Sequence, residues 1–266
     1  MKENIGEILT AIRENKLSNE EAQKLLWEIF YEEGDEYLLD LHREKRIGFP
    51  EVILAEGKSS SQLISIAGAF LRNSDRVLIS NLDKKQEKDL KAAFIDLFTR
   101  REGRLMVIRK TEGIKTDLGT VGLITAGTSD IPFARECGLI LLELGADVIE
   151  AFDTGAAGMH RPELGIKKVK RADVLIIFAG MEGVLPSLVA SLSDLPVIAV
   201  PTPIGYGYGG QGLGALSTML QTCVPGVLVV NIGNAIGAAA GAIRFLRILK
   251  RKSISSDTRS VVYSPT

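Results

Sequence analysis

The sequence predicts an α/β protein in which a doubly wound parallel sheet over residues 118–251 follows a smaller, helix-rich α/β domain over 1–115. Three observations predict it. Beyond residue 118, short apolar runs alternate with stretches of helical spacing, the order that gives parallel, right-handed βαβ crossovers. The runs are continuous, as in Val174-Leu175-Ile176-Ile177-Phe178, which suits strands covered on both faces. Each run also ends in a loop rich in glycine and polar side chains, where open parallel sheets bind ligands.

Taken in order, residues 1–46 are charged and read as helical. Ser18-Asn19-Glu20-Glu21 starts a helix whose apolar positions are Leu25, Leu26, Ile29 and Phe30, and a second helical stretch ends in His42-Arg43-Glu44-Lys45-Arg46. Gly48-Phe49-Pro50 breaks the helix before a strand over 51–55. A helix over 59–71, a strand over 76–80, a helix over 84–98 and a strand over 105–109 complete this domain, and 110–117 reads as a polar linker. Strands are then expected at 120–125, 147–151, 173–178, 196–200 and 226–231, with helices at 131–144, 162–171, 184–192, 213–221 and 235–251. Residues 252–266 read as a polar tail, and the basic patch Arg244, Arg247, Lys250, Arg251 and Lys252 as a solvated face.

Composition narrows the function classes. A length of 266 residues allows a large domain or two modest ones, and a net charge of −1 gives no bulk attraction to nucleic acid or membrane. No apolar run is long enough to span a bilayer, and Met1-Lys2-Glu3-Asn4 begins no signal-peptide core, so a cytoplasmic protein without nucleic-acid or membrane partners is expected. Two cysteines, Cys137 and Cys223, make no disulfide framework.

The loops carry the chemistry. Thr125-Ala126-Gly127-Thr128-Ser129-Asp130 reads either as a helix cap or as a ligand wall of amides, hydroxyls and a carboxylate. The second loop, 153–161, holds Gly155, Gly158, His160 and Arg161; a histidine there can move protons near neutral pH or serve structure alone. In Gly180-Met181-Glu182-Gly183, Glu182 suits helix capping and metal binding equally. The fourth loop has six glycines among residues 205–214, including Gly205, Gly207 and Gly209, a spacing that is neither a Walker loop nor a dinucleotide fingerprint. It is a phosphate cradle or a surface loop, with Tyr206 and Tyr208 free to stack on a ring. Gly233-Asn234 closes the set. Cys137 reads as core. Cys223, in Gln221-Thr222-Cys223-Val224-Pro225-Gly226, sits where a helix turns into the last strand, and its position alone reads as structural.

The Thr-Ser-Asp, Gly-Met-His-Arg and Ala-Gly-Met-Glu-Gly loops, the stretch from Pro196 to Thr202, and Gly233-Asn234 together resemble the aminoimidazole-ribonucleotide carboxylase/mutase family. That resemblance covers 118–250 and implies a flavodoxin-like fold, carboxylate or CO2 handling at the strand ends, and a symmetric oligomer. A more specific resemblance, to the LarB family of nickel-pincer nucleotide biosynthesis, adds Arg46-Ile47-Gly48-Phe49-Pro50-Glu51-Val52, Glu56-Gly57-Lys58 and Cys223-Val224-Pro225-Gly226-Val227. It implies carboxylation of the pyridinium ring of nicotinic acid adenine dinucleotide and hydrolysis of its phosphoanhydride, giving pyridinium-3,5-biscarboxylic acid mononucleotide and AMP. By the same resemblance Cys223 is a nucleophile; the other roles are hypotheses, in which Ser129 and Asp130 contact the pyridine carboxylate or CO2, Asp130 is a candidate base and Thr128 binds substrate. His160 and Arg161 steady carboxylates or phosphate, and Glu182 binds Mg2+. Arg46 and Lys58 reach the phosphates or the AMP half, while Gly155, Gly158, Gly205, Gly207, Gly209, Tyr206 and Asn234 line the substrate. CO2 or bicarbonate is the co-substrate, ATP and biotin are not implied, and a homo-oligomer of octamer-like symmetry is expected. The alternatives are an aminoimidazole ribonucleotide carboxylase/mutase and a non-catalytic nucleotide-binding regulatory module.

Overall fold

The computed structural model describes residues 5–34 and 37–259, with side chains to Lys252. The chain divides into two compact units, Met1–Glu112 and Gly113–Thr266.

In the first unit, α1 (Ile5–Arg13) and α2 (Asn19–Phe30) are followed by an antiparallel hairpin, β1 (Tyr31–Gly34) and β2 (Tyr37–Asp40), and by a short helix, α3 (Arg43–Ile47). A four-stranded sheet then forms from β3 (Val52–Leu54), β4 (Arg76–Ser80), β5 (Phe98–Glu102) and β6 (Leu105–Arg109), in the order β3-β4-β6-β5, with α4 (Ser60–Asn73) and α5 (Lys84–Ala93) between its strands. Both helices start on capping boxes, Ser59 with Gln62 and Asp83 with Gln86, which satisfy the first free amides. Leu63, Ile66 and Phe70 of α4 meet Val77, Ile79, Met106 and Ile108 of the sheet in one apolar cluster.

Two segments differ from the sequence reading. Residues 31–40, expected within a helix, form the hairpin, apart from 35 and 36, which lie outside the described residues. Gly34 pairs with Tyr37, whose ring occupies the space a Cβ on Gly34 would need, and Tyr31 and Tyr37 favour extended backbone. The helix expected to reach residue 98 stops at Ala93, and Phe94 and Leu97 turn into the core. Phe98–Glu102 becomes a charged edge strand on which the Arg109 guanidinium lies 4.0 Å above the Phe98 ring.

The second unit holds β7 (Thr120–Thr125), α6 (Ile131–Glu143), β8 (Asp147–Ala151), α7 (His160–Val169), β9 (Val174–Ala179), α8 (Leu185–Leu192), β10 (Val197–Pro201), α9 (Leu213–Leu220), β11 (Val227–Val229) and α10 (Ala235–Arg259). All five strands are parallel, in the order β11-β10-β9-β7-β8. α6 and α10 cover one face and α7, α8 and α9 the other, so the sheet is doubly wound. Every residue of β9 and of β10 is buried, as their continuous apolar runs require. The chain leaves β7 towards β8 and returns to β9 on the opposite side, which opens a crevice between the carboxyl ends of β7 and β9. α10 runs on past residue 251 to Arg259, so the expected tail begins as helix, and its remainder, 260–266, lies outside the described residues.

Candidate functional site

The crevice is a cavity of about 340 Å3. Its walls are the loops after β7 (126–130), β8 (153–161) and β9 (179–185), with Ile204 from the loop after β10. Close backbone packing shapes it. A Cβ on Gly155 would lie 2.5 Å from the Ala126 carbonyl oxygen, and one on Gly180 would collide with the Ile204 carbonyl oxygen, so side chains are excluded at both positions. Thr125 ties two of the walls together: its hydroxyl accepts from the Asp153 amide at 3.0 Å and its carbonyl from the Thr154 amide at 2.9 Å.

Asp130 is the buried acid of this cavity, with 3% of its surface exposed. Thr128–Asp130 form a single 3-10 turn at the head of α6. The carboxyl folds back so that Oδ2 accepts from the Gly127 amide at 2.9 Å, while Oδ1 accepts from the Thr202 hydroxyl at 2.6 Å. Burial raises the pKa of Asp130 above the usual carboxylate range, and the hydrogen bonds from Thr202 and Gly127 oppose that rise. An acid with these competing influences can take up and release a proton.

Thr128 and Ser129 are exposed on the cavity wall, as is Glu182. Arg161 is anchored by Asp153: its Nη2 lies 2.6 Å from the carboxylate and donates to the Asp153 carbonyl at 2.5 Å. Asp153 adopts a left-handed φ of 56°, and Met181 does so at 47°. Non-glycine residues held in that region concentrate at functional sites. Among the described residues no three His, Cys, Asp or Glu side chains are grouped as a metal set. Glu182 offers one carboxylate, which suits a Mg2+ that takes its other ligands from substrate phosphate and water.

The cavity thus brings together Thr128, Ser129, Asp130, Gly155, Arg161 and Glu182. It does not include His160, exposed as the first residue of α7, nor Gly158 before it. Gly205, Gly207, Gly209 and the 82%-exposed Tyr206 stay outside its lining. Asn234 spends its side-chain oxygen on the Gly237 amide at 2.8 Å, capping α10. Cys223 is exposed in the turn leading into the start of β11, whereas the cavity lies at the strands' other ends. Its neighbour Thr222 accepts from the Ser187 hydroxyl at 2.8 Å. In the first unit, Arg46 pairs with Asp40 at 2.5 Å and Lys58 donates to the Leu54 carbonyl at 2.9 Å. Sequence reasoning placed Thr202 in the loop after the fourth strand but gave it no role, and only the fold reveals its partner, 72 residues away.

Two families match the chain. A LarB/PurE-like N-terminal domain covers residues 31–110, and AIR carboxylase covers 120–261. An uncharacterized protein of Methanocaldococcus jannaschii is 35% identical over 259 residues, covering 94% of this chain and 100% of that protein. The N5-carboxyaminoimidazole ribonucleotide mutases of M. jannaschii and Saccharolobus solfataricus are 37% and 36% identical, over 53% and 54% of this chain and 85% and 95% of theirs. The AIR carboxylase match, at 120–261, lies in the unit that bears the cavity, and the LarB/PurE-like match, at 31–110, lies in the first unit. The chain belongs to the AIR carboxylase family through residues 120–261, and a LarB/PurE-like N-terminal domain precedes that match at residues 31–110.

Proposed function

We infer that the protein carboxylates the pyridinium ring of nicotinic acid adenine dinucleotide and hydrolyses its phosphoanhydride, yielding pyridinium-3,5-biscarboxylic acid mononucleotide and AMP for nickel-pincer nucleotide biosynthesis. The observation that carries this reading is the buried Asp130 in a polar strand-end cavity, in a chain that also bears the LarB/PurE-like domain.

An electron-poor pyridinium cannot attack CO2, so it must first be made nucleophilic. The Cys223 thiolate adds to the ring, its electron pair forming the C–S bond while ring electrons move onto nitrogen. The dihydropyridine so formed is an enamine, and its carbon β to nitrogen attacks CO2. Asp130 removes the proton from that carbon, the enamine reforms, and the nitrogen pair expels the thiolate, restoring aromaticity. A thiolate suits both addition and departure. Ser129 and Thr128 hold the carboxylates, and Arg161 holds phosphate, as a guanidinium fork does. Because Cys223 stands away from the cavity of its own copy, the reading includes a homo-oligomer in which the thiol reaches a neighbouring cavity. Glu182 would hold Mg2+, which would neutralise charge at the anhydride; there water attacks phosphorus and AMP leaves. CO2 or bicarbonate and water are the co-substrates in this scheme, without ATP or biotin.

Purified protein incubated with nicotinic acid adenine dinucleotide, bicarbonate and Mg2+ should give a product one carboxyl group heavier, with equimolar AMP, by mass analysis. AMP without carboxylation would reduce the reading to a pyrophosphatase. Turnover of N5-carboxyaminoimidazole ribonucleotide instead would favour the reaction named for the mutase relatives. Nucleotide binding without any product would leave a regulatory module.

A further inference from the structure

Cys223 is exposed in the short turn between α9 and β11, where little packing is available to fix the direction of a side chain. The turn is nevertheless held on both sides of the cysteine. Before it, Thr222 Oγ1 accepts from the Ser187 hydroxyl at 2.8 Å and from the Val224 amide at 3.2 Å. The second bond spans Cys223 from one neighbour to the other, a local side chain-to-backbone contact that sets the backbone between them. After it, Pro225 disfavours helical backbone at Val224, and Gly226 takes a left-handed φ of 90°. Ser187 belongs to the first turn of α8, and Leu185, where that helix begins, lines the central cavity. The turn bearing the thiol is therefore fastened to the helix whose head forms a wall of the site.

We propose that Ser187 and Thr222 are positioning residues that aim the Cys223 thiol. The proposal rests on the covalent step of the substrate reading above and adds what directs the sulfur. Neither residue lines the cavity, and both are half-buried. Their hydroxyls meet each other and the Val224 amide, so their effect on the reaction passes through the turn. Addition of sulfur to a ring carbon needs one line of approach, and an error of about 1 Å in such an approach can cost about a hundredfold in rate. Ser187→Ala removes the donor from α8, and Thr222→Val removes the acceptor of both bonds. Each releases the turn from the helix while the thiol and the cavity lining stay as they are. A bond that only braced α8 against the end of α9 would instead cost stability, with no selective loss at the sulfur step.

Carboxylation kinetics of the full-length protein with nicotinic acid adenine dinucleotide and bicarbonate test this, beside thermal midpoints and the rate at which iodoacetamide alkylates Cys223. In Ser187→Ala and Thr222→Val, kcat should fall at least about tenfold while KM stays within about twofold, because the lost contact guides reaction rather than binding. Alkylation should be unchanged, since a small reagent reaches an exposed thiol from any direction. Thr222→Ser, which keeps the hydroxyl, should restore the wild-type rate. The double variant should fall no further than Thr222→Val alone, as expected of two residues acting through one bond. An unchanged kcat, additive losses in the double variant, or a rate that Thr222→Ser leaves low would each overturn the proposal. The two readings fail distinguishably. A wild type that carboxylates no faster than the variants removes the positioning pair alone, whereas a wild type that forms no carboxylated product removes the substrate reading and the pair with it.

Discussion

The Thr202 hydroxyl donates to Asp130 Oδ1 at 2.6 Å, joining the loop after β10 to the turn that opens α6, with both residues buried. The bond favours the ionised carboxyl, while burial favours the protonated one. Replacing Thr202 by Val removes the donor and keeps the shape, so the Asp130 pKa should climb further. The acid limb of the pH–carboxylation profile should move to higher pH in Thr202→Val, and Thr202→Ser should restore it. A profile unmoved by Thr202→Val would remove Thr202 as a positioning residue, and full activity in Asp130→Asn would remove Asp130 as the base.

The same carboxyl makes a stability prediction. Its folded pKa stands above its unfolded value, so between the two the folded chain binds more protons than the unfolded one. Stability contributed by protonated Asp130 is therefore present below the unfolded pKa, near 3.8, and declines as pH rises through the folded value. Asp130→Asn should flatten this part of the dependence, read as the thermal midpoint against pH.

Gly180 packs where a methyl group would press on the Ile204 carbonyl and lie 2.8 Å from the Thr202 hydroxyl. Gly180→Ala should cost about 1–3 kcal/mol of stability, the usual range for overpacking, and disturb the hydrogen bond to Asp130. Denaturant unfolding would measure the first effect and the carboxylation pH profile the second.

The two thiols should behave differently. Cys137 is fully buried and its thiol pKa is pushed far up by that burial, whereas Cys223 is exposed. Iodoacetamide should label Cys223 and spare Cys137 in the native protein, as peptide mass mapping would show. On the proposed mechanism Cys223→Ser should lower carboxylation at least about a hundredfold with little change in thermal midpoint; full activity would eliminate the covalent step.

Chelation of Mg2+ should stop AMP release, and Glu182→Gln should raise the Mg2+ concentration for half-maximal rate about tenfold, since a neutral amide is a poorer ligand for a hard cation. A metal titration of wild type and variant gives the answer directly.

Legibility from sequence tracks how local each determinant is. The strand Val174–Ala179 announces itself because all of its residues are buried in a sheet covered on both sides. The hairpin at 31–40 does not, because Leu25, Leu26, Ile29 and Phe30 continue a helical rhythm into it and only the pairing of Gly34 with Tyr37 ends that rhythm. At the site, the turn containing Ser129 and Asp130 was visible as strand-end chemistry. The pairing of Thr202 with Asp130 was not, since a threonine between two prolines carries no local sign of a partner on another loop. Nor could spacing show that Asn234 is consumed as a helix cap.

That the donor to Asp130 comes from residue 202 also sets an order of assembly. As the chain leaves the ribosome, β7, β8 and β9 and their helices can associate first, but the acid has only the Gly127 amide to lean on until β10 docks beside β9. Pocket and acid are finished by the same late, long-range pairing, the kind of step that slows folding. A chain ending before β10 would hold the first three loops and lack the Thr202 donor that steadies Asp130.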